Sequence, residues 1–320
     1  MNTILVPLDG SVRAEQILPY MRRLAPILDA KLYLLQVVPE MPEDEPFAMT
    51  VAEAYQRGSG PTATQREPER HSWETQRRHA EGYLESQAVL LQPEGIRVDF
   101  EVRLGDPAEE IIAVAEEQRA TLIALATHGY SGLKRWTLGS VTDKVVHAAT
   151  APVFIIRSAT QTHSSDSDVG FKRILVPLDG SMLAKQALPL ATDLARRAGA
   201  GLLLLQTVAP TIKVFPNQLH PMPHYATMLP MLREQADYEL GALATQLRQA
   251  DVPTTTVVAN GHAAEVIVDV ARQRQSDLIL MATHGYGGIR RWALGSVADK
   301  VLHAATTPLV LVRARPVAEA

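Results

Sequence analysis

Short apolar runs alternate along this chain with longer amphipathic ones. TILVPLD, beginning at Thr3, is an apolar run that ends in a charged residue, the pattern of a buried strand. Ser11 follows as a helix cap, and Ala14, Ile17, Leu18, Met21, Leu24 and Leu28 then recur on one helical face. Pro19 falls inside that helix, as Pro189 does in a later counterpart, and an interior proline predicts a kink or local break. KLYLLQVV is a second strand, and a Pro/Glu/Gly-rich stretch over 39–65 separates it from a helix through about 70–92. The order then runs through strand IRVDFEV, helix PAEEIIAVAEEQ, strand TLIALAT, a Gly-punctuated stretch ATHGYSGLKRWTLGS (126–140), a helix near 140–149 and strand PVFIIR. Five nearly unbroken apolar strands separated by four helices predict an α/β fold with a parallel sheet covered on both faces.

The pattern occurs twice. ILVPLDGS at 4–11 returns letter for letter at 174–181, and 21 of 32 positions agree between 126–157 and 282–313, so the chain is a tandem duplication. The opening motifs are 170 residues apart and the closing ones 156, which places 14 extra residues of the first copy between Val38 and Gly105. SATQTHSSDSDVG (158–170) lacks apolar periodicity and reads as a linker between domains at 1–157 and 171–315. The last strands, PVFIIR and PLVLVR, would be exposed apolar edges on separate domains, so pairing through them is expected.

Composition narrows the function classes. A length of 320 residues exceeds what one core usually serves and suggests two domains. Hydrophobic residues make up 46% and charged ones 21%, with a net charge of −4, which supplies no electrostatic reason to bind nucleic acid or anionic lipid. The absence of cysteine removes disulfides, thiol catalysis and cysteine-ligated metals. Asp9 arrives too early for a signal-peptide core, and no apolar run reaches membrane-spanning length. The expectation is a cytoplasmic chain without nucleic-acid or membrane partners.

Open parallel sheets bind ligands outside the carboxyl ends of their strands, where the strand order reverses. If the first and fourth strands adjoin, Asp9 at the end of one faces the loop that opens at His128 and Gly129 at the end of the other. Gly129 and Gly139 permit positive φ and close backbone approach, so that N–H groups can face an anion. Ser140 starts a helix with Asp143 three residues on, which turns free N–H groups and the positive end of a macrodipole toward the crevice. The same residues also read as a capping pair and as turn glycines that bind nothing.

Other motifs fail here. Gly139-Ser140 is followed by valine, so there is no P-loop lysine, and no glycine cluster of the dinucleotide type follows the first strand. Ser140, Asp143 and His147, repeated as Ser296, Asp299 and His303, would ride one helix with serine and histidine roughly 10 Å apart, too far for proton transfer. Asp143 and His147 alone are two metal ligands without a third. His128 either donates to a phosphate or is satisfied by a nearby carbonyl. Lys134, Arg135, Arg290 and Arg291 form either a cationic lid or a solvated surface, and Trp136 and Trp292 are assigned to packing.

Each copy resembles a universal stress protein domain: ILVPLDGS at the start, LLQV or LLQT in the second strand, GD or GH before the third helix, then THG, nine residues, GS, and a closing proline with an apolar strand. The resemblance covers nearly the whole chain apart from the linker and the two central segments. It implies two Rossmann-like domains, similar to the adenine nucleotide alpha hydrolases, each a five-stranded parallel sheet of order 3-2-1-4-5 with helices on both faces. The family's nucleotide-binding branch carries Gly, two residues, Gly, nine residues, then Gly-Ser or Gly-Thr. Gly129, Gly139 and Ser140 match this, as do Gly285, Gly295 and Ser296, while Ala126 and Ala282 stand where the first glycine would be. By resemblance Asp9 and Asp179 read the adenosine end, flanked by Pro7, Leu8, Pro177 and Leu178. Val37 and Thr207 lie against adenine through their backbone, and Leu125, Met281, His128, His284, Val141 and Val297 complete the two sites.

The implied ligand is ATP, with or without Mg2+ or Mn2+, and the implied role is stress response or signalling. No catalytic residue is assigned, and hydrolysis would be weak at most. A nucleotide-independent interaction module of the same fold and a slow ATPase are the alternatives. The resemblance also implies that the two domains pair through their final strands as a pseudo-dimer, with association of two chains and an unidentified protein partner left open.

Overall fold

The computed structural model of the protein describes residues 2–39, 73–92, 95–127, 139–158, 170–208, 225–284 and 294–315. The first half contains β1 (Asn2–Pro7), α1 (Val12–Glu15), α2 (Leu18–Leu28), β2 (Ala30–Val38), α3 (Trp73–Leu91), β3 (Val98–Leu104), α4 (Pro107–Glu117), β4 (Leu122–Thr127), α5 (Ser140–Ala148) and β5 (Val153–Arg157). The second repeats the order as β6 (Arg173–Leu178), α6 (Met182–Lys185), α7 (Leu188–Ala198), β7 (Gly201–Val208), α8 (Tyr225–Gln249), β8 (Thr254–Asn260), α9 (Ala263–Gln273), β9 (Leu278–Ala282), α10 (Ser296–Ala304) and β10 (Leu309–Val312).

The helix expected after Ser11 is two helices. The Ser11 hydroxyl accepts the Ala14 N–H at 3.1 Å, but the helix stops at Glu15, and Pro19 lies in the first turn of α2 rather than in an interior. A proline needs no intrahelical N–H partner in a first turn, so it starts the second helix after breaking the first. Pro189 does the same at α7. The break frees a glutamine for another task. Gln16 accepts the Ser158 hydroxyl at 2.9 Å, and Gln186 pairs both ways with the Arg315 backbone at 2.7 and 2.8 Å, so each break pins the chain as it leaves the last strand of its half.

The ten strands among the described residues form one sheet, in the order β3-β2-β1-β4-β5-β10-β9-β6-β7-β8. Within each half the pairing is parallel; the seam between β5 and β10 is antiparallel, with Leu309, Val310 and Leu311 opposite Ile155, Phe154 and Val153. The carboxyl ends of the strands in the two halves therefore point to opposite ends of the molecule. The seam buries the two apolar strands that isolated domains would leave exposed, Phe154 and Val310 at 0% and 2% exposure. Side chains alternate across the sheet. Ile4, Val6, Phe154 and Val310 join one core beneath α2, α3, α7 and α8, while Leu5, Ile155, Leu309 and Leu311 join a second beneath α4, α5, α9 and α10. Each core runs unbroken through both halves. Phe154 also stacks tilted on Tyr20 at 5.8 Å and edge-on against Phe171 at 6.4 Å. The sheet's outer edges are β3 and β8, and β3 carries Asp99, Glu101 and Arg103, charges that discourage further strand addition.

Candidate functional site

The crevice begins with a missing N–H. Leu8 donates its N–H to Leu35 on β2 at 2.8 Å and the Thr3 carbonyl accepts from Thr121 before β4, so alternation along β1 turns the Pro7 nitrogen toward β4. Proline has no proton to offer there. Pairing of β1 with β4 ends at Leu5 opposite Ile123, whereas pairing with β2 continues to Pro7 opposite Leu35. In the second half, β6 pairs with β9 only through Ile174 and Leu175, two residues before Pro177. The proline of ILVPLDGS thus stops the central ladder at the point where the strand order reverses.

Gly10 and Gly180, at φ of +79° and +84°, turn the chain out of that gap, a conformation that strains other residues. Asp9 Oδ1 accepts the Ser11 N–H at 2.9 Å, and Asp179 Oδ1 accepts that of Ser181 at 3.0 Å. Each bond uses one of the several acceptor positions of a carboxylate.

In the first half the gap opens into a cavity of about 980 Å³. Pro7, Leu8 and Asp9 line it from the end of β1, Val37 from β2, Leu125 and Ala126 from β4, and Gly139, Ser140 and Val141 from the start of α5. Nine first-half residues singled out in the sequence thus share one wall system. His128 and Gly129 lie outside the described residues, as do Gly285, the loop cations and tryptophans at 134–136 and 290–292, and most of the linker. In the second half Pro177 and Leu178 end β6, Thr207 lies on β7, Met281 and Ala282 end β9, and Ser296 and Val297 open α10. The His284 ring nitrogen Nδ1 lies 3.1 Å from the Thr283 hydroxyl.

Two sequence expectations about the helix start are corrected. Ser140 is not a cap: the N-cap is Gly139, Ser140 is the first helical residue, and no side-chain cap hydrogen bond is made at either α5 or α10. The reading of Ser140 and Asp143 as a capping pair therefore fails, because the serine sits one residue too far along to reach back over the first turn. Nor does the glycine supply positive φ, since Gly139 and Gly295 have φ of −59° and −63°. What Gly295 supplies is room. Its N–H donates to the Thr283 carbonyl at 2.8 Å, and a Cβ would stand 2.6 Å from that same oxygen. A helix start without a side-chain cap presents its first N–H groups and the positive end of its dipole to whatever lies in front.

Sequence reasoning missed the wall contributed by α3. Gln76, His79, Ala80 and Tyr83 face the cavity, as do Gln36 of β2 and Pro107 and Ile111 of α4. The Gln36 Oε1 is buried with no hydrogen-bond partner among the described residues, which costs about 1–3 kcal/mol until a donor arrives. Burial, and then the charges of Glu15 and Asp9, push the Tyr83 phenol above its ordinary range, so it stays neutral. Asp106 caps α4 through the N–H groups of Ala108 and Glu109, and Lys144 of α5 donates to its other oxygen at 3.0 Å. Lys144 first, and then those N–H groups, hold its carboxyl below the usual range.

His147 Nδ1 lies 2.8 Å from the Asp143 carbonyl and 3.4 Å from its carboxylate, and His303 with Asp299 repeats this at 2.8 and 3.3 Å. These are contacts within one helix turn. Among the described residues no three histidine or acidic groups gather as a metal site would need. No helix among them is long and apolar enough to cross a membrane.

The model of the universal stress protein family matches the chain twice, over residues 1–157 and 170–313. A universal stress protein of Mycolicibacterium smegmatis is 27% identical over 98% of this chain and 97% of its own. One of Mycobacterium tuberculosis is 29% identical over 71% of this chain and 74% of its own. The crystal structure of a universal stress protein from Archaeoglobus fulgidus superposes with a TM-score of 0.67 at 20% identity, covering 98% of each chain, and so shares the whole two-half fold. With the family motif met in both halves and the fold shared end to end, the chain belongs to the universal stress protein family, as a tandem member.

Proposed function

We propose that the protein binds ATP at the crevices where β1 meets β4 and β6 meets β9, and that it acts as a nucleotide-responsive stress or signalling protein. The observation that carries this reading is a cavity of about 980 Å³ lined both by the Asp9 carboxylate and by a helix start without a side-chain cap. That volume lies within the range of small-molecule sites. The polyphosphate belongs at the start of α5, where amide N–H groups and the helix dipole favour anions. The nucleoside belongs toward Asp9 and Val37, since a carboxylate would repel phosphates but accepts from ribose hydroxyls. Gln36 Oε1, buried and without a partner among the described residues, would accept a donor from the ribose or the adenine amine.

Ala126 sits in β4, paired with Ile156, so its backbone is extended and a methyl is tolerated there. Its presence in place of the family's first glycine reduces space and leaves the backbone path unchanged. The reading is of binding, with slow hydrolysis kept as the alternative. A divalent ion would enter with the nucleotide, held mainly by the phosphates.

Isothermal titration with ATP, with and without Mg2+ or Mn2+, tests this. Two equivalents of nucleotide per chain are expected, falling to one in Gly129→Val or Gly285→Val and to none in the double variant. Undiminished binding in the double variant would discard the site, and no heat at high micromolar ATP would favour a nucleotide-independent module of the same fold.

A further inference from the structure

The crevice helices are held at their far ends by the opposite half of the molecule. The seam register sets this up: two residues beyond Leu311 opposite Val153, Arg313 comes level with Ala151, just past the end of α5, and Arg157 comes level with Thr307, just past the end of α10. Arg313 Nη1 donates to the carbonyls of His147, Ala148 and Ala149 at 3.3, 3.0 and 3.0 Å. Arg157 Nη2 donates to the carbonyl of His303 at 2.6 Å. These carbonyls belong to the last turns of α5 and α10, which have no partners further along their own helices. Both arginines are partly buried, and burial lowers the guanidinium pKa of Arg157 from its ordinary value. The bonds are thus made away from full solvent, where charge-assisted hydrogen bonds are strongest.

We infer that Arg157 and Arg313 are positioning residues that tie each crevice to the other half: Arg313 sets the seat of α5 at the first crevice, and Arg157 that of α10 at the second. The nine residues of α5 span roughly 13 Å, so a guanidinium at one end fixes how far the amides of Ser140, Val141 and Thr142 project at the other. An anion before the helix and a cation behind it act on the same dipole in the same sense. Each helix start is thereby seated by a residue of the other half, one arginine to one crevice. The identity of the ligand rests on the nucleotide reading above; the linkage between seam and helix does not.

The test crosses two arginine variants with two blocked crevices. In Gly285→Val, where only the first crevice can fill, Arg313→Met should raise the ATP dissociation constant about threefold to thirtyfold while Arg157→Met changes it less than about twofold. In Gly129→Val the two arginines should exchange roles. Arg313→Lys, which keeps a cation, should recover part of the loss, and it reads the same pattern if the methionine variant melts too early. Equal weakening by both arginines in both backgrounds, or by neither, overturns the linkage.

Hydrogen exchange without any ligand is the second readout. The hydrogen-bonded amides 143–146 should exchange faster in Arg313→Met with amides 299–302 unchanged, and the mirror result should hold for Arg157→Met. Uniform acceleration, or none, overturns the linkage whatever ATP does. An unsubstituted protein that takes up no ATP would instead overturn the nucleotide reading, leaving the exchange pattern to decide on the linkage.

Discussion

Two glycines of the crevices serve opposite purposes. Gly10 is there for its backbone: at φ of +79° its missing Cβ would have only Gln36 Nε2 within ordinary contact, at 3.7 Å. Gly295 is there for space, since its φ is ordinary and a Cβ would strike the Thr283 carbonyl at 2.6 Å. Gly295→Ala should therefore lower stability by roughly 1–3 kcal/mol through overpacking, and Gly10→Ala by about 1 kcal/mol through conformation. Thermal unfolding checks both, and shortening Thr283 should not relieve Gly295→Ala, because the clash is with backbone. The sequence repeat marked both glycines but could not separate these causes, because a glycine looks alike in either role. Pro7 was legible as part of a motif; its effect was not, because the side to which its nitrogen points depends on pairing with β2.

At the scale of elements, the order and type of strands and helices could be read from apolar periodicity, and the strand order from the family resemblance. The wall formed by α3 could not. A long Pro/Glu/Gly-rich stretch of sequence separates that helix from β2, so nothing local set which of its faces would meet the crevice. Gln76, His79 and Tyr83 are spaced at three and four residues, a helical face that is recognisable only once its neighbour is known.

Asp106 and His262 show how the two halves have diverged at one element. Both are N-caps with nearly the same backbone, φ and ψ of −71° and 123° against −72° and 121°, yet Asp106 accepts two N–H groups and His262 makes no side-chain cap bond. His262→Asp should then stabilise the second half by about 1 kcal/mol. A melting temperature that fails to rise would show that the α9 start is already satisfied by other means.

For the molecule as a whole, the seam between β5 and β10 was foreseeable because two apolar edge strands cannot stay exposed. The arginines that reinforce it were not, since each is more than 140 residues from the carbonyls it meets and nothing in the local sequence distinguishes them from solvated cations. Val310→Pro places a residue without an N–H between β5 and β9 and removes a side chain that is 2% exposed. It should cost about 3 kcal/mol or more, lower the melting temperature and enlarge the hydrodynamic radius; an unchanged radius and melting curve would count against the seam.

The antiparallel sense of that seam reaches further than stability. Because the carboxyl ends of the two sets of strands face opposite poles, a macromolecule seated over one set leaves the other bare. Under the proposed nucleotide reading, a partner that sensed one crevice would sit at one pole, with the continuous sheet setting its distance from the other.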